Sequence, residues 1–368
     1  MSERKRIKVD VEGGSYDVVI GRGVLGEVGD LVREAAPGGK IAIVTDSNVS
    51  DLFGVQVETK LITAGYDVFP LTFQAGEASK SWQVAGEVLE ALAETGLDRT
   101  DIVVALGGGV VGDLAGFSAA TYLRGVRFVQ IPTTLLAQVD SSVGGKTGVD
   151  LRAGKNLAGA FKQPLLVVAD TDALTSLPES EWRSGLAEVA KSAVIDGEEF
   201  TAWLEEHAAE LLARDPDVVR EAVVRSVAFK SRVVSTDEKE EGVRECLNYG
   251  HTLGHAVENV AGYGAIPHGL AVVEGMRFAV RLAVEVLGAP REFVRRQDAL
   301  LDTLGLPALS SAWPVGELLS AMRSDKKARS GSVRFVLADA PGSWTCSAVE
   351  DRVILEHLGA WADSKGRD

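Results

Sequence analysis

Asp101-Ile102-Val103-Val104-Ala105-Leu106 runs straight into Gly107-Gly108-Gly109-Val110-Val111-Gly112-Asp113. An unbroken apolar run of this length suits a strand buried on both faces of a parallel sheet, and the residues after the glycines read as helix. Gly107, Gly109 and Gly112 satisfy GxGxxG in the setting that gives the pattern meaning, a strand before and a helix after. Glycines there let backbone amides approach a pyrophosphate, and a helix amino terminus favours its charge. A tight turn with no ligand has the same spelling. One part of the usual fingerprint is absent, because Gln130 to Thr134, about twenty residues on, holds no Asp or Glu. Ribose contacts then fall to Asp46 and Asn48, which follow the buried run Lys40 to Thr45.

Around this unit, strands and helices alternate. Ile7 to Val11 and Tyr16 to Ile20 read as strands about a hairpin turn at Glu12-Gly13-Gly14-Ser15, and Ser81 to Glu94 as a helix. Phe128 to Ile131 and Leu165 to Ala169 add buried strands to a mainly parallel sheet. After Leu177-Pro178-Glu179 helical periodicity dominates: Glu181 to Ile195, Glu199 to Ala213, Asp217 to Val234, His251 to Val260 and Leu270 to Leu287. Strand-like sequence returns at Val333 to Leu337. The expected organisation is an α/β domain over residues 1–178 and a mostly α-helical domain over 179–368.

The 368 residues carry a net charge of −15, which disfavours nucleic acid and anionic membrane as partners. An acidic chain that takes an anionic substrate must gather its Lys and Arg in one place. No run of eighteen apolar residues and no signal core occurs, so a cytoplasmic protein without a membrane partner is expected. Two cysteines, Cys246 and Cys346, make no disulfide framework, and Cys246 reads as a packing residue.

Chemistry concentrates in Leu247-Asn248-Tyr249-Gly250-His251-Thr252-Leu253-Gly254-His255. On a helix His251 and His255 share one face. Thr252 excludes the metalloprotease HExxH, whose Glu supplies a base. The pair alone fits either metal ligands or packed histidines; His268, between Pro267 and Gly269, adds a third from a loop. Glu188, three residues before Lys191 among small apolar residues, would complete a two-His, one-carboxylate set that leaves coordination open for substrate, the pattern of catalytic zinc. A plain intrahelical salt bridge is the competing reading of Glu188 and Lys191. Gly145-Lys146-Thr147 matches the end of a Walker A loop, but Asp140 stands where that loop needs Gly. What remains is Lys146 and Lys155 in a polar, glycine-flanked loop, either solvated or an anion cradle. His207 and His357 read as solvent-facing.

The order GGGVVGDLAGFSAATYLRG, IPTTLLAQVDSSVGGKTGVD, GKNLAGAF, GLAEVAK and LNYGHTLGHAVE, with PHG downstream, closely resembles the 3-dehydroquinate synthases, members of the NAD-dependent sugar phosphate cyclases. The likeness runs from the strand before Asp46 to Lys327. It implies a Rossmann-like α/β amino-terminal domain with a mostly helical carboxyl-terminal domain, and a homodimer. It implies Glu188, His251 and His268 as ligands of zinc or cobalt, and assigns NAD to Asp46, Asn48, Glu77, Lys80, Gly107, Gly108, Gly109, Asp113, Thr133, Thr134, Asp140 and Lys155. Arg124, Lys146, Lys155, Asn156, Lys230, Arg244, Asn248 and one of Lys326 or Lys327 would bind a sugar phosphate substrate, with His255, Lys146, Asn156, Lys191, Arg244 and Asn248 in catalytic positions. Two positions depart from the family pattern. Leu270 stands where Glu is usual, which bears on an outer contact to a metal ligand, and Ser176 where Thr is common.

The resemblance implies that 3-deoxy-D-arabino-heptulosonate 7-phosphate is converted to 3-dehydroquinate and phosphate. Oxidation of the carbon 5 hydroxyl by NAD acidifies the neighbouring C–H, phosphate leaves from carbon 7, the ketone is reduced again, and an aldol step closes the ring. NAD is regenerated in each turnover. A sister cyclase of the valiolone or inosose type, a metal-dependent polyol dehydrogenase and a non-catalytic binding protein are the rivals.

Overall fold

A computed structural model describes residues 4–262, 264–324 and 332–365. These fall into two compact units, residues 4–177 with Val219–Glu238, and 178–218 with the described residues from Lys239 onward. The first unit therefore includes a return segment that comes from far along the chain.

In the first unit β1 (Lys5–Val11) and β2 (Gly14–Gly21) form the expected hairpin, with Gly13 at φ +91 in the turn. Then follow α1 (Val28–Ala35), β3 (Lys40–Asp46), a one-turn α2 (Ser47–Val49), α3 (Val55–Thr63) and β4 (Asp67–Phe73). The chain continues with α4 (Trp82–Glu94), β5 (Ile102–Gly107), α5 (Gly109–Thr121), β6 (Arg127–Pro132), β7 (Lys146–Leu151), β8 (Gly154–Phe161) and β9 (Leu166–Asp170). Seven strands form one sheet in the order β1-β2-β9-β6-β5-β3-β4, parallel throughout except for β1 against β2.

Alternation along the strands divides the core. Ile41, Ile43, Ile102, Val104 and Leu106 pack on one face beneath α1 and α3, and Ala42, Val44, Val103 and Ala105 on the other beneath α4 and α5. Both faces are covered, which is why β5 has no polar side. Because β4 and β5 flank β3 on opposite sides, the strand order reverses direction there, and ligands of open α/β sheets bind outside the carboxyl ends of strands at such a point. Asp46 ends β3 and Gly107 ends β5.

One expectation is corrected here. The glycine-flanked segment carrying Lys146 and Lys155 is not a loop: β7 and β8 pair as an antiparallel hairpin, Lys146 opposite Phe161. Gly148 and Gly159 face each other across it, so the strands carry too few side chains to show alternation.

The return segment belongs to α9 (Pro216–Thr236) and the residues after it. Asp10 N–H donates to Ser235 Oγ at 3.0 Å, and Glu12 N–H to Glu238 Oε2 at 2.7 Å.

The second unit holds α6 (Glu179–Asp196), α7 (Glu198–Glu206), α8 (Ala208–Leu212), α10 (His251–Ala261), α11 (His268–Leu287), α12 (Arg291–Thr303), α13 (Val315–Ser324) and α14 (Asp351–Ser364). A hairpin of β10 (Val333–Ala340) and β11 (Ser343–Val349) joins them. The helix expected over Glu199 to Ala213 is broken at His207, which leaves helical geometry at φ −106, ψ 14 and stacks its ring on Trp203. His207 and His357 are half-buried, not solvent-facing; His357 Nε2 lies 3.0 Å from Glu285 Oε2. Cys246 is buried, and neither cysteine is in a disulfide. Among the described residues no helix is long and apolar enough to cross a membrane.

Candidate metal centre and cofactor site

Three helices of the second unit bring Glu188, His251 and His268 together. Their donor atoms all lie within 4.8 Å of one another, and Glu188 Oε1 is 3.7 Å from Nε2 of each histidine. A tetrahedral zinc ion with bonds of roughly 2.1 Å sets its ligands about 3.4 Å apart, so the spacing is that of a metal site.

Protonation agrees. His251 Nδ1 is 3.1 Å from the Tyr249 carbonyl, which can only accept, and His268 Nδ1 is 3.0 Å from Glu258 Oε2. Both rings therefore carry hydrogen on Nδ1 and turn the Nε2 lone pair toward Glu188. Glu188 is 1 % exposed and its Oε1 lacks a hydrogen-bond partner in the structure, while Lys191 forms an ion pair with Oε2. A buried carboxylate oxygen facing two imidazole lone pairs repels them unless a cation lies between. The residues fit a divalent ion.

The helices approach this closely because glycines stand at the crossings. A Cβ on Gly269 of α11 would lie 2.4 Å from Ser184 Cα of α6. One on Gly275 would lie 1.7 Å from the carbonyl oxygen of Gly250, the residue that precedes α10. His268 is also corrected: it is the first residue of α11, not part of a loop, with Pro267 in the extended position just before the helix. His255 follows on α10, its ring centroid 5.2 Å from that of His251. Leu270 does not leave the candidate ligand His268 without an outer carboxylate, since Glu258 supplies one from α10. That residue was missed in the sequence, although its position seven beyond His251 puts it on the same helix face. Elsewhere in this unit Arg244 is buried, and Asn248 Nδ2 donates to Glu240 Oε1 at 2.6 Å. Lys326 and Lys327 lie outside the described residues.

Of the residues expected to bind a cofactor, Asp46, Asn48, Gly107, Gly108, Gly109, Thr133 and Thr134 stand in the first unit at or just beyond the carboxyl ends of β3, β5 and β6. Gly108 precedes α5, so the first amides of that helix open toward the strand ends. Thr133 donates its backbone N–H to the Gly107 carbonyl at 3.0 Å, and its buried Oγ1 has no hydrogen-bond partner. Thr134 Oγ1 accepts from Ala137 N–H. Asp46 Oδ1 accepts the amides of Asn48 and Val49, capping the turn after β3. An orphaned hydroxyl beside glycine amides fits a polyhydroxylated, phosphate-bearing cofactor.

Ion pairs hold several expected residues in place. Glu77 meets Lys155 at 3.0 Å, and Asp140 Oδ1 meets Lys230 Nζ at 2.6 Å. Asp113 meets Lys80 at 2.5 Å. Burial opposes the charge on Lys80, but Asp113, with help from Glu77 and Asp150, outweighs it and raises the lysine above its usual range. Asp113→Asn leaves that ammonium buried without its closest counter-charge. We expect a stability loss of about 3 kcal/mol, read as a lower urea midpoint at unchanged slope; an unmoved midpoint refutes the pairing. Asn156 is held at φ +55, its N–H donating to Asp150 Oδ1 at 2.8 Å. Lys146, Asn156 and Arg124 are exposed.

Comparison with known proteins decides the family. The family model for the amino-terminal part of 3-dehydroquinate synthase matches residues 70–184, and that for the carboxyl-terminal part matches 185–328. The 3-dehydroquinate synthase of Nitrosomonas europaea is 44 % identical over 350 residues, 95 % of each chain. The chain belongs to the 3-dehydroquinate synthase family. The relative from Pelobacter propionicus is 46 % identical over 330 residues, 90 % of this chain and 92 % of that one. Among solved structures, 2-epi-5-epi-valiolone synthase from Streptomyces hygroscopicus subsp. jinggangensis, with NAD+ and Zn2+ bound, matches with a TM-score of 0.88 at 28 % identity, covering 96 % of this chain and 98 % of that one. The fold is therefore the dehydroquinate synthase-like combination of an α/β unit and a largely helical unit.

Proposed function

We propose that this chain converts 3-deoxy-D-arabino-heptulosonate 7-phosphate to 3-dehydroquinate and phosphate, a phosphate-eliminating cyclisation that uses NAD and a divalent cation. The observation that carries the reading is the donor set of Glu188 Oε1 with the Nε2 atoms of His251 and His268, in a chain of this family. When bound, NAD accepts and returns a hydride while the cation acts as a Lewis acid on substrate hydroxyls. Zinc and cobalt both suit two imidazoles and a carboxylate.

The chain's own residues supply the rest. The amides of Gly108 and Gly109 and the Thr133 hydroxyl bind the cofactor, with Asp46, Asn48, Glu77, Lys80, Asp113, Thr134 and Asp140 about them. Arg124, Lys146, Lys155, Asn156, Lys230, Arg244 and Asn248 bind the phosphate and carboxylate of the substrate. Lys155 and Lys230 already hold carboxylate partners, so an arriving anion exchanges with Glu77 and Asp140 instead of meeting a bare ammonium. This keeps cationic groups in place on a chain of net charge −15. Lys191 neutralises part of the charge on Glu188, and the His255 imidazole holds or passes the proton lost by the substrate alcohol. The family resemblance supports a cytoplasmic homodimer; light scattering of the purified protein reads its mass.

One assay separates the rivals. With the heptulosonate phosphate and trace NAD, inorganic phosphate is expected in amounts far above the NAD supplied, without net NADH absorbance. A polyol dehydrogenase would accumulate NADH, and a binding protein would release nothing. Phosphate release from a different sugar phosphate but not from this one would assign a sister cyclase.

A further inference from the structure

Glu258 is 3 % exposed, and a carboxylate that deep needs a partner to offset its lost hydration. Its Oε2 lies 3.0 Å from His268 Nδ1, while Nε2 of the same ring lies 3.7 Å from Glu188 Oε1. The two histidines of the metal centre are thus held differently. His251 donates to a neutral backbone carbonyl and its side chain is 10 % exposed. His268 donates to a carboxylate and is 33 % exposed, at the first residue of its helix, where fewer neighbours fix the ring. A carboxylate on Nδ1–H fixes tautomer and ring orientation and makes Nε2 more basic. We propose that Glu258 is a positioning residue for His268 and sets how tightly the centre holds its divalent ion. This rests on Glu188, His251 and His268 being the ligands.

A second consequence follows from the same contact. Donor atoms of His255, Glu258 and His268 also lie within 4.8 Å of one another, so this group could in principle collect an ion of its own. With His268 Nδ1–H committed to Glu258, the centre takes one ion per chain.

The test titrates chelator-stripped full-length protein with Zn2+ and Co2+ against a chromophoric chelator, using the parent, Glu258→Gln, Glu258→Leu and His251→Ala. Gln keeps a neutral acceptor of the same shape, so binding is expected to weaken about 10-fold, and Leu, which keeps none, about 100-fold. The visible absorption of the cobalt protein should change in Glu258→Gln, while NAD affinity and the unfolding midpoint of the ion-free Gln variant match the parent. Should Leu disturb folding, the isosteric Gln variant carries the test. Zinc affinity within twofold of the parent in Glu258→Gln with an unaltered cobalt spectrum, or a second equivalent of bound ion in the parent, overturns the proposal. If His251→Ala loses the ion and Glu258→Gln does not, only the role of Glu258 fails. If His251→Ala keeps its ion, the ligand assignment itself falls.

Discussion

His268→Ala is expected to lose the divalent ion and to lower kcat/KM by about 10³-fold or more, with the fold retained. One of three donors disappears, and what remains is Glu188 and His251, too few to hold a catalytic ion firmly. Lewis-acid stabilisation of a developing alkoxide amounts to several kcal/mol, and about 4 kcal/mol corresponds to 10³ in rate. The fold should tolerate the change, since the side chain is a third exposed and alanine is a good helix former at the start of α11. Its structural cost is the partner lost by Glu258, on the order of 1–3 kcal/mol. Metal analysis and turnover in metal-free buffer check the outcome; full activity there would remove His268 from the ligand set.

Gly275→Ala should have the largest effect on stability. In an ordinary helix interior the change gains about 1 kcal/mol. Here the added methyl would stand 1.7 Å from the Gly250 carbonyl oxygen, which belongs to backbone and cannot rotate away. Helix α11 or the start of α10 must shift, and Gly250, at φ +79, is the residue from which the helix bearing His251 departs. A net loss of about 3 kcal/mol or more is expected, together with weakened zinc binding. Urea unfolding and metal titration read the two effects separately. An unchanged midpoint would mean the crossing is looser than described.

These two cases mark what could be read in the chain. The buried strand Ile102–Gly107 followed by glycines was legible because a double-covered parallel strand has no polar side to confuse the pattern. Glu188 was legible as a buried member of the candidate ligand cluster because a charge among small apolar neighbours in a helix is hard to explain as surface. By contrast β4 carries Pro70, which a strand tolerates at a sheet edge, and its alternation is weak because that edge is half covered. The β7–β8 hairpin was hidden by its glycines. Glu258 was overlooked for a different reason. A lone Glu on a helix looks like a solvated charge until the partner helix is placed, and that packing depends on where Gly250 and Gly275 meet. Periodicity reports which face of an element is buried, and says little about which neighbour covers it.

The return segment Val219–Glu238 bears on how such a chain is made. A ribosome delivers residues 178–218 before the segment that fastens to Asp10, Glu12 and Asp140. The sheet unit cannot finish until that later stretch has emerged, so amino-to-carboxyl maturation in two clean stages is ruled out by connectivity alone. A truncation ending at residue 177 would leave those contacts unmade, so a fragment carrying only the first stretch of the sheet unit lacks part of its own structure.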